Sequence, residues 1–172
     1  MIKSHRANNS NVEYGTFMLL LGLPAGALAE RVKLANGDVY EGDVVDDLRT
    51  GHGTYVWADG HRYEGQFVAN SLQGEGVYHW PDGRTYIGNF NADKRDGRGV
   101  LRWPNGDSYD GEFRNNSMHG IGTFNWVNRD RYSGSFVNGK RTGTGEFVWS
   151  TGERYQGGFN EGVLEGEGSF AW

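Results

Sequence analysis

The sequence predicts an all-β fold, an elongated single-sheet antiparallel meander of β-hairpins with about 13 strands. Three observations carry that prediction. One sequence unit recurs at a fixed interval of 23 residues. Within each unit, rings and glycines alternate with other residues at a spacing of two, the period of a strand. Asp-Gly and Asn-Gly turn pairs separate the alternating runs.

The interval is set by Tyr40, Tyr63, Tyr86, Tyr109, Tyr132 and Tyr155, each 23 residues from the next. Two positions on stand Gly42, Gly65, Gly88, Gly111, Gly134 and Gly157, and two further Val44, Phe67, Phe90, Phe113, Phe136 and Phe159. A glycine pair follows, from Gly51/Gly53 and Gly74/Gly76 to Gly166/Gly168, and then Tyr55, Tyr78, Leu101, Phe124, Phe147 and Phe170. Every Trp of the chain fills one further slot: Trp57, Trp80, Trp103, Trp126, Trp149 and Trp172. The units run 40–62, 63–85, 86–108, 109–131, 132–154 and 155–172, and residues 32–39 repeat the end of a unit as a half-length start.

Tyr-x-Gly-x-Phe reads as one strand and Gly-x-ring-x-Trp as its partner. Six or seven polar residues are expected between them, as at Ala69-Asn70-Ser71-Leu72-Gln73-Gly74. After each Trp a tight turn is expected, as at Ala58-Asp59-Gly60, Pro81-Asp82-Gly83 and Pro104-Asn105-Gly106, because glycine accepts positive φ. The strand period puts rings and glycines on one face. Glu64, Gln66, Asp110, Glu112, His52, Thr54, Arg98, Arg102 and Glu146 fall on the other. A neighbouring ring can lie over a glycine, and twist rolls the ring face into a groove that buries it. Each buried ring removes roughly 150–250 Å² from water. Thirteen strands about 4.8 Å apart make a rod on the order of 60 Å long.

The first 29 residues differ. Lys3 and Arg6 precede the apolar run Phe17-Met18-Leu19-Leu20-Leu21-Gly22-Leu23, and Pro24, Gly26 and Ala27-Leu28-Ala29 follow. That is the layout of a secretory signal cut after Ala29, too short for an ordinary membrane span. The expected localisation is therefore export, periplasmic or secreted. If the segment stays on, the chain is cytoplasmic or membrane-associated.

Composition excludes several chemistries. The 172 residues include no Cys, so disulfides, thiolate metal sites and Cys nucleophiles are absent. With 17 basic and 22 acidic residues the chain is net −5, the wrong balance for binding nucleic acid through its phosphates. The run from Gly134 to Gly139-Lys140-Arg141 approaches a phosphate-binding loop, but Arg141 stands where Ser or Thr would hold magnesium. The Gly-x-Gly pairs open no helix, and His52, His61, His79 and His119 have no metal-ligand spacing. Asp46/Asp47 and Glu165/Glu167 read as solvated charge, and no serine has a nucleophile-elbow context. No catalytic, cofactor or metal residue is therefore assigned.

The repeated motifs, with Pro-Asp-Gly at Pro81-Asp82-Gly83, resemble the MORN repeat (membrane occupation and recognition nexus) from Val32 to Trp172. Three positions depart from it. Val44 replaces a ring, Arg129 replaces a turn glycine and Thr151 replaces a turn Asp or Asn, so those turns are expected to be looser. The resemblance implies a binding and scaffold module and no enzyme. Similar arrays accompany junctophilins at membrane contacts, plant phosphatidylinositol phosphate kinases and a lysine methyltransferase, but no such catalytic domain stands outside the repeats here.

The expected partner is a protein, received as an amphipathic helix or extended peptide along the ring-lined groove. The candidate interaction surface is Tyr63, Tyr86, Tyr109, Trp80, Trp103, Phe170 and Trp172. The second reading is a peripheral membrane module that meets anionic lipid through Arg95 and Arg98, Arg129 and Arg131, and Lys140 and Arg141. A homodimer through the C-terminal strand, Glu167 to Ala171, is also expected, because an unpaired edge invites another strand.

Overall fold

The structure, a computed structural model, describes residues 12–13 and 28–172, with side chains from residue 31 onward. The described residues are all-β and fall into two compact units, one ending at Lys94 and the other spanning Arg95–Trp172. In the first, β1 (Val12–Glu13), β2 (Leu28–Leu34), β3 (Val39–Val45), β4 (Leu48–Val56), β5 (Arg62–Val68), β6 (Ser71–His79) and β7 (Thr85–Asn91) each pair antiparallel with the next. In the second, β8 (Lys94–Arg102), β9 (Ser108–Arg114), β10 (Ser117–Asn125), β11 (Arg131–Val137), β12 (Lys140–Val148), β13 (Arg154–Asn160) and β14 (Val163–Ala171) do the same. The meander is the expected one, with thirteen strands from β2 to β14; β1 is an addition that the repeat pattern does not announce. Most of the expected leader, residues 1–11 and 14–27, lies outside the described residues. Leu28 and Ala29 lie in β2, in register with Val44 and Asp43.

Two hairpin turns alternate. After Trp57, Trp80, Trp103, Trp126 and Trp149 the chain makes a type I turn closed by a left-handed residue. The Gly83 N–H donates to the Trp80 carbonyl at 3.0 Å, and the Trp80 N–H to the Arg84 carbonyl at 3.0 Å. The Trp thus closes the turn, and β6 ends one residue before it. The turns at Arg129 and Thr151 are no looser, contrary to expectation. Arg129 donates to the Trp126 carbonyl and Gly152 to the Trp149 carbonyl, both at 2.9 Å.

The other connection corrects the sequence reading. It is no six-residue loop but a two-residue turn: Ala69 and Asn70 have φ of 46° and 71°, and Asn115 and Asn116 repeat this at 47° and 73°. Such a type I′ pair matches the twist of the strands it joins. The residues expected to be loop therefore continue β6 from Ser71, and Leu72 is core, 2% exposed.

Rings interlock along each unit. Tyr63 meets Phe67 edge-on at 5.2 Å and Phe90 of the next repeat at 5.0 Å; Tyr109 does the same with Phe113 and Phe136. This edge-to-face geometry sets the positive ring edge against the negative face. A second column runs Tyr55, Trp57, Tyr78, Trp80 with centroids 4.5–5.5 Å apart. Arginines lie among the rings. The Arg49 guanidinium sits 4.7 Å from the Tyr55 ring centre, and Arg141 lies 5.4 Å from that of Phe147. Burial lowers the Arg141 pKa below its ordinary value.

Candidate functional site

Each repeat tyrosine folds over its own glycines. The Tyr63 hydroxyl donates to the Gln66 carbonyl at 2.9 Å, and Tyr40, Tyr86, Tyr109, Tyr132 and Tyr155 bond the carbonyl three residues on in the same way. The ring covers the glycine pair Gly65 and Gly76, which face each other across β5 and β6. Beyond that pair the register jumps. Gln66 aligns with Gln73, so Gly74 and Glu75 are extra residues on β6 and form a bulge, which bends the strand and raises its twist.

On the side away from the rings these bends leave a groove of about 740 Å³ across the first unit. Its floor is a glycine row, Gly42, Gly53, Gly65, Gly76 and Gly88, each the cross-strand neighbour of the next. Glu41, Asp43, Glu64 and Glu75 stand along it, with His52 and Thr54, and Val77 and Ile87 close one end. Among the described residues no lysine or arginine lines it. Arg62 pairs with Glu64 at 2.6 Å, and the Asp43 carboxylate accepts the His52 N–H at 3.0 Å. Among the described residues nothing bonds to or pairs with the carboxylates of Glu41 and Glu75, which are exposed.

The residues chosen from sequence lie elsewhere. Tyr63, Tyr86 and Tyr109 are 0% exposed and Trp80 is 6% exposed, so these four are core and a partner reaches none of their rings. Trp103 is half-buried. Phe170 and Trp172 are open, at 51% and 95% exposure. The groove of the first unit is on the polar face, and none of the seven lines it. Sequence reasoning missed the groove because it placed Glu64 on the polar face and did not join it with Glu41, Asp43 and Glu75. The available signal was that Glu41 and Glu64 each follow a repeat tyrosine, on strands that Thr54 joins in register.

The other motifs resolve as strand. Residues 134–141 run from β11 through Asn138 and Gly139 into β12, and no helix follows to face a phosphate. Among the described residues no three His, Asp or Glu side chains could hold a metal ion, and no helix is long and apolar enough to cross a membrane.

The family model described as MORN repeat matches residues 40–62, 63–83, 86–108, 109–131, 132–154 and 155–172. No curated protein matches the chain at a significant level. Among solved structures, the chain is similar to the TCP domain of Drosophila melanogaster SAS-4 (dCPAP), solved in complex with a proline-rich motif of Ana2 (dSTIL). The TM-score is 0.51 at 13% identity, over 90% of this chain and 97% of that one. The G-box domain of the microcephaly protein CPAP is similar with a TM-score of 0.38 at 16% identity, over 91% and 99%. The wild-type TCP10 domain of Danio rerio CPAP is similar with a TM-score of 0.30 at 18% identity, over 80% and 87%. At such identity the first of these likenesses shows a shared fold.

Proposed function

We propose, from the premise that the chain belongs to the MORN repeat family, that it is a non-catalytic module that binds a partner protein on its polar face. One observation carries this reading: the rings are consumed as core, while the bends at the glycine pairs open a groove on the exposed side. A concave surface of this size can hold an extended peptide. The TCP domain of Drosophila SAS-4, which shares the fold, was solved with a proline-rich motif bound, and that supports the reading. The test is capture with the 172-residue chain as bait, followed by calorimetry with each captured protein purified. Saturable binding by one of them supports the module, and binding by none of them overturns it.

Peripheral membrane binding is the second reading, and the geometry weakens it. Arg95 and Arg141 lie among the rings, and Lys140 pairs with Glu161 at 2.9 Å. Arg98, Arg129 and Arg131 remain exposed. Salt-sensitive flotation with vesicles containing anionic lipid would restore it. Pairing of two copies along β14, exposed at all nine residues, is our proposal for self-association. It is tested by light scattering of the parent beside Phe170→Lys. Export with a start at Glu30 is likewise proposed, and the intact mass of protein made in its own host decides it.

A further inference from the structure

We infer that the groove of the first unit takes an extended cationic segment of the partner protein, with an apolar residue at its β6–β7 end; this rests on the binding-module reading above. The floor of the groove is bare backbone, because the Cβ positions of Gly42, Gly53, Gly65 and Gly76 point to the opposite face, where Tyr40 and Tyr63 fill them. The groove crosses β3 to β7, four steps of about 4.8 Å, which is the length of about six residues of extended peptide.

Charge then selects the occupant. Among the described residues four carboxylates line the groove and no lysine or arginine does. Glu64 is already met by Arg62 and Asp43 by a backbone N–H, which leaves Glu41 and Glu75 as the open acceptors. An arginine or lysine of the partner satisfies them, and an acidic peptide is repelled. The far end has different chemistry. Val77 and Ile87 are cross-strand neighbours, and Ile87 is 48% exposed, so that end favours an apolar side chain and gives the segment a direction.

These carboxylates are not a requirement of the repeat. The slot of Glu75 holds Arg98, Ile121 and Thr144 in the next three repeats, and the slot of Glu41 holds Ile87, Asp110, Ser133 and Gln156 elsewhere. The same hairpin therefore forms without them. The charge belongs to this groove.

The experiment is fluorescence anisotropy with the full chain and a labelled octapeptide, Arg-Lys-Arg-Lys-Arg-Lys-Val-Val, beside a counterpart carrying Glu at every basic position. The cationic probe is expected to bind saturably and to weaken as salt is added. Glu41→Gln and Glu75→Gln are each expected to lower affinity roughly two- to fivefold, as single exposed charge contacts do, and the double variant further. Glu167→Gln, in the Glu75 slot of the last repeat, is expected to leave affinity unchanged. Matching melting curves show that the variants are folded. No saturable binding by the parent, equal binding of the acidic probe, or a double variant as tight as the parent overturns the inference. A reconstituted protein partner that binds the parent and the double variant equally overturns this groove assignment and leaves the module reading intact. Failure of every captured protein to bind overturns the module reading itself.

Discussion

The Tyr63 ring occupies the space that a Cβ on Gly76 would need: that atom would lie 2.5 Å from the Tyr63 hydroxyl. The ring cannot swing aside. It is fully buried, its hydroxyl is committed to the Gln66 carbonyl, and Phe67 and Phe90 close on it edge-on. The same relation joins Tyr132 to Gly145, so it is a property of the repeat.

Gly76→Ala is therefore expected to lower unfolding free energy by roughly 1–3 kcal/mol, the usual cost of overpacking. Tyr63→Ala empties a core site and is expected to cost roughly 3–5 kcal/mol. Together they should cost less than the sum, because removal of the ring makes room for the methyl group. Urea denaturation of both single variants and the double variant measures this coupling. Strict additivity would contradict the steric explanation.

The two faces should separate sharply within one dipeptide. Tyr109 is 0% exposed, and Tyr109→Ala should cost roughly 3–5 kcal/mol. Its neighbour Asp110 is exposed on the polar face, and Asp110→Ala should stay within about 0.5 kcal/mol. Trp103, half-buried, should fall between them. Similar losses at Tyr109 and Asp110 would refute the assignment of faces.

The fold was legible because each slot answers a steric demand that the chain states in every repeat. Tyr over glycine and a left-handed residue after Trp each leave a fixed mark in the sequence. The slot of Leu72 was less legible. It holds Arg49, Leu72, Arg95, Met118, Arg141 and Leu164, so alternate repeats place a guanidinium where others place an aliphatic chain. A polarity pattern sees loop there, but an arginine stem and planar head pack on rings as well as leucine does. The groove was hidden for a different reason. It depends on the bulge that sets Gly74 and Glu75 out of register with β5, and residue types alone do not show a register shift. The tyrosines chosen from sequence lie in the core, because bonding to the third carbonyl on folds each ring down over its glycines.

Alkaline pH should unfold the protein cooperatively. Burial raises the hydroxyl pKa of Tyr40, Tyr55, Tyr63, Tyr109 and Tyr132 above the ordinary 10.0. Below that value folded and unfolded chains both keep these protons, and stability does not change on their account. Above it the unfolded chain loses them first, so stability falls as pH rises, by about 1.4 kcal/mol per pH unit for each such tyrosine. Tyrosinate absorbance and loss of the β-sheet circular dichroism signal should therefore appear together. Gradual tyrosine titration with the sheet signal intact would show that the rings reach solvent.

Arg129→Gly should stabilise the chain. Arg129 holds φ of 74° in the slot that Gly60, Gly83, Gly106 and Gly152 fill in other repeats. A left-handed backbone costs a residue with a side chain roughly 1–2 kcal/mol. Glycine gives back about 0.5–1 kcal/mol through the greater freedom of its unfolded chain. The balance favours Arg129→Gly by a few tenths of a kcal/mol to about 1 kcal/mol. The Arg129 N–H bond to the Trp126 carbonyl is a backbone contact, so the substitution keeps it. Arg129→Ala separates strain from charge: it removes the guanidinium, retains the left-handed Cβ and should gain nothing. Thermal melting of the three proteins decides. Equal gains in both variants would assign the effect to loss of positive charge, and no gain from Arg129→Gly would show that this turn is unstrained.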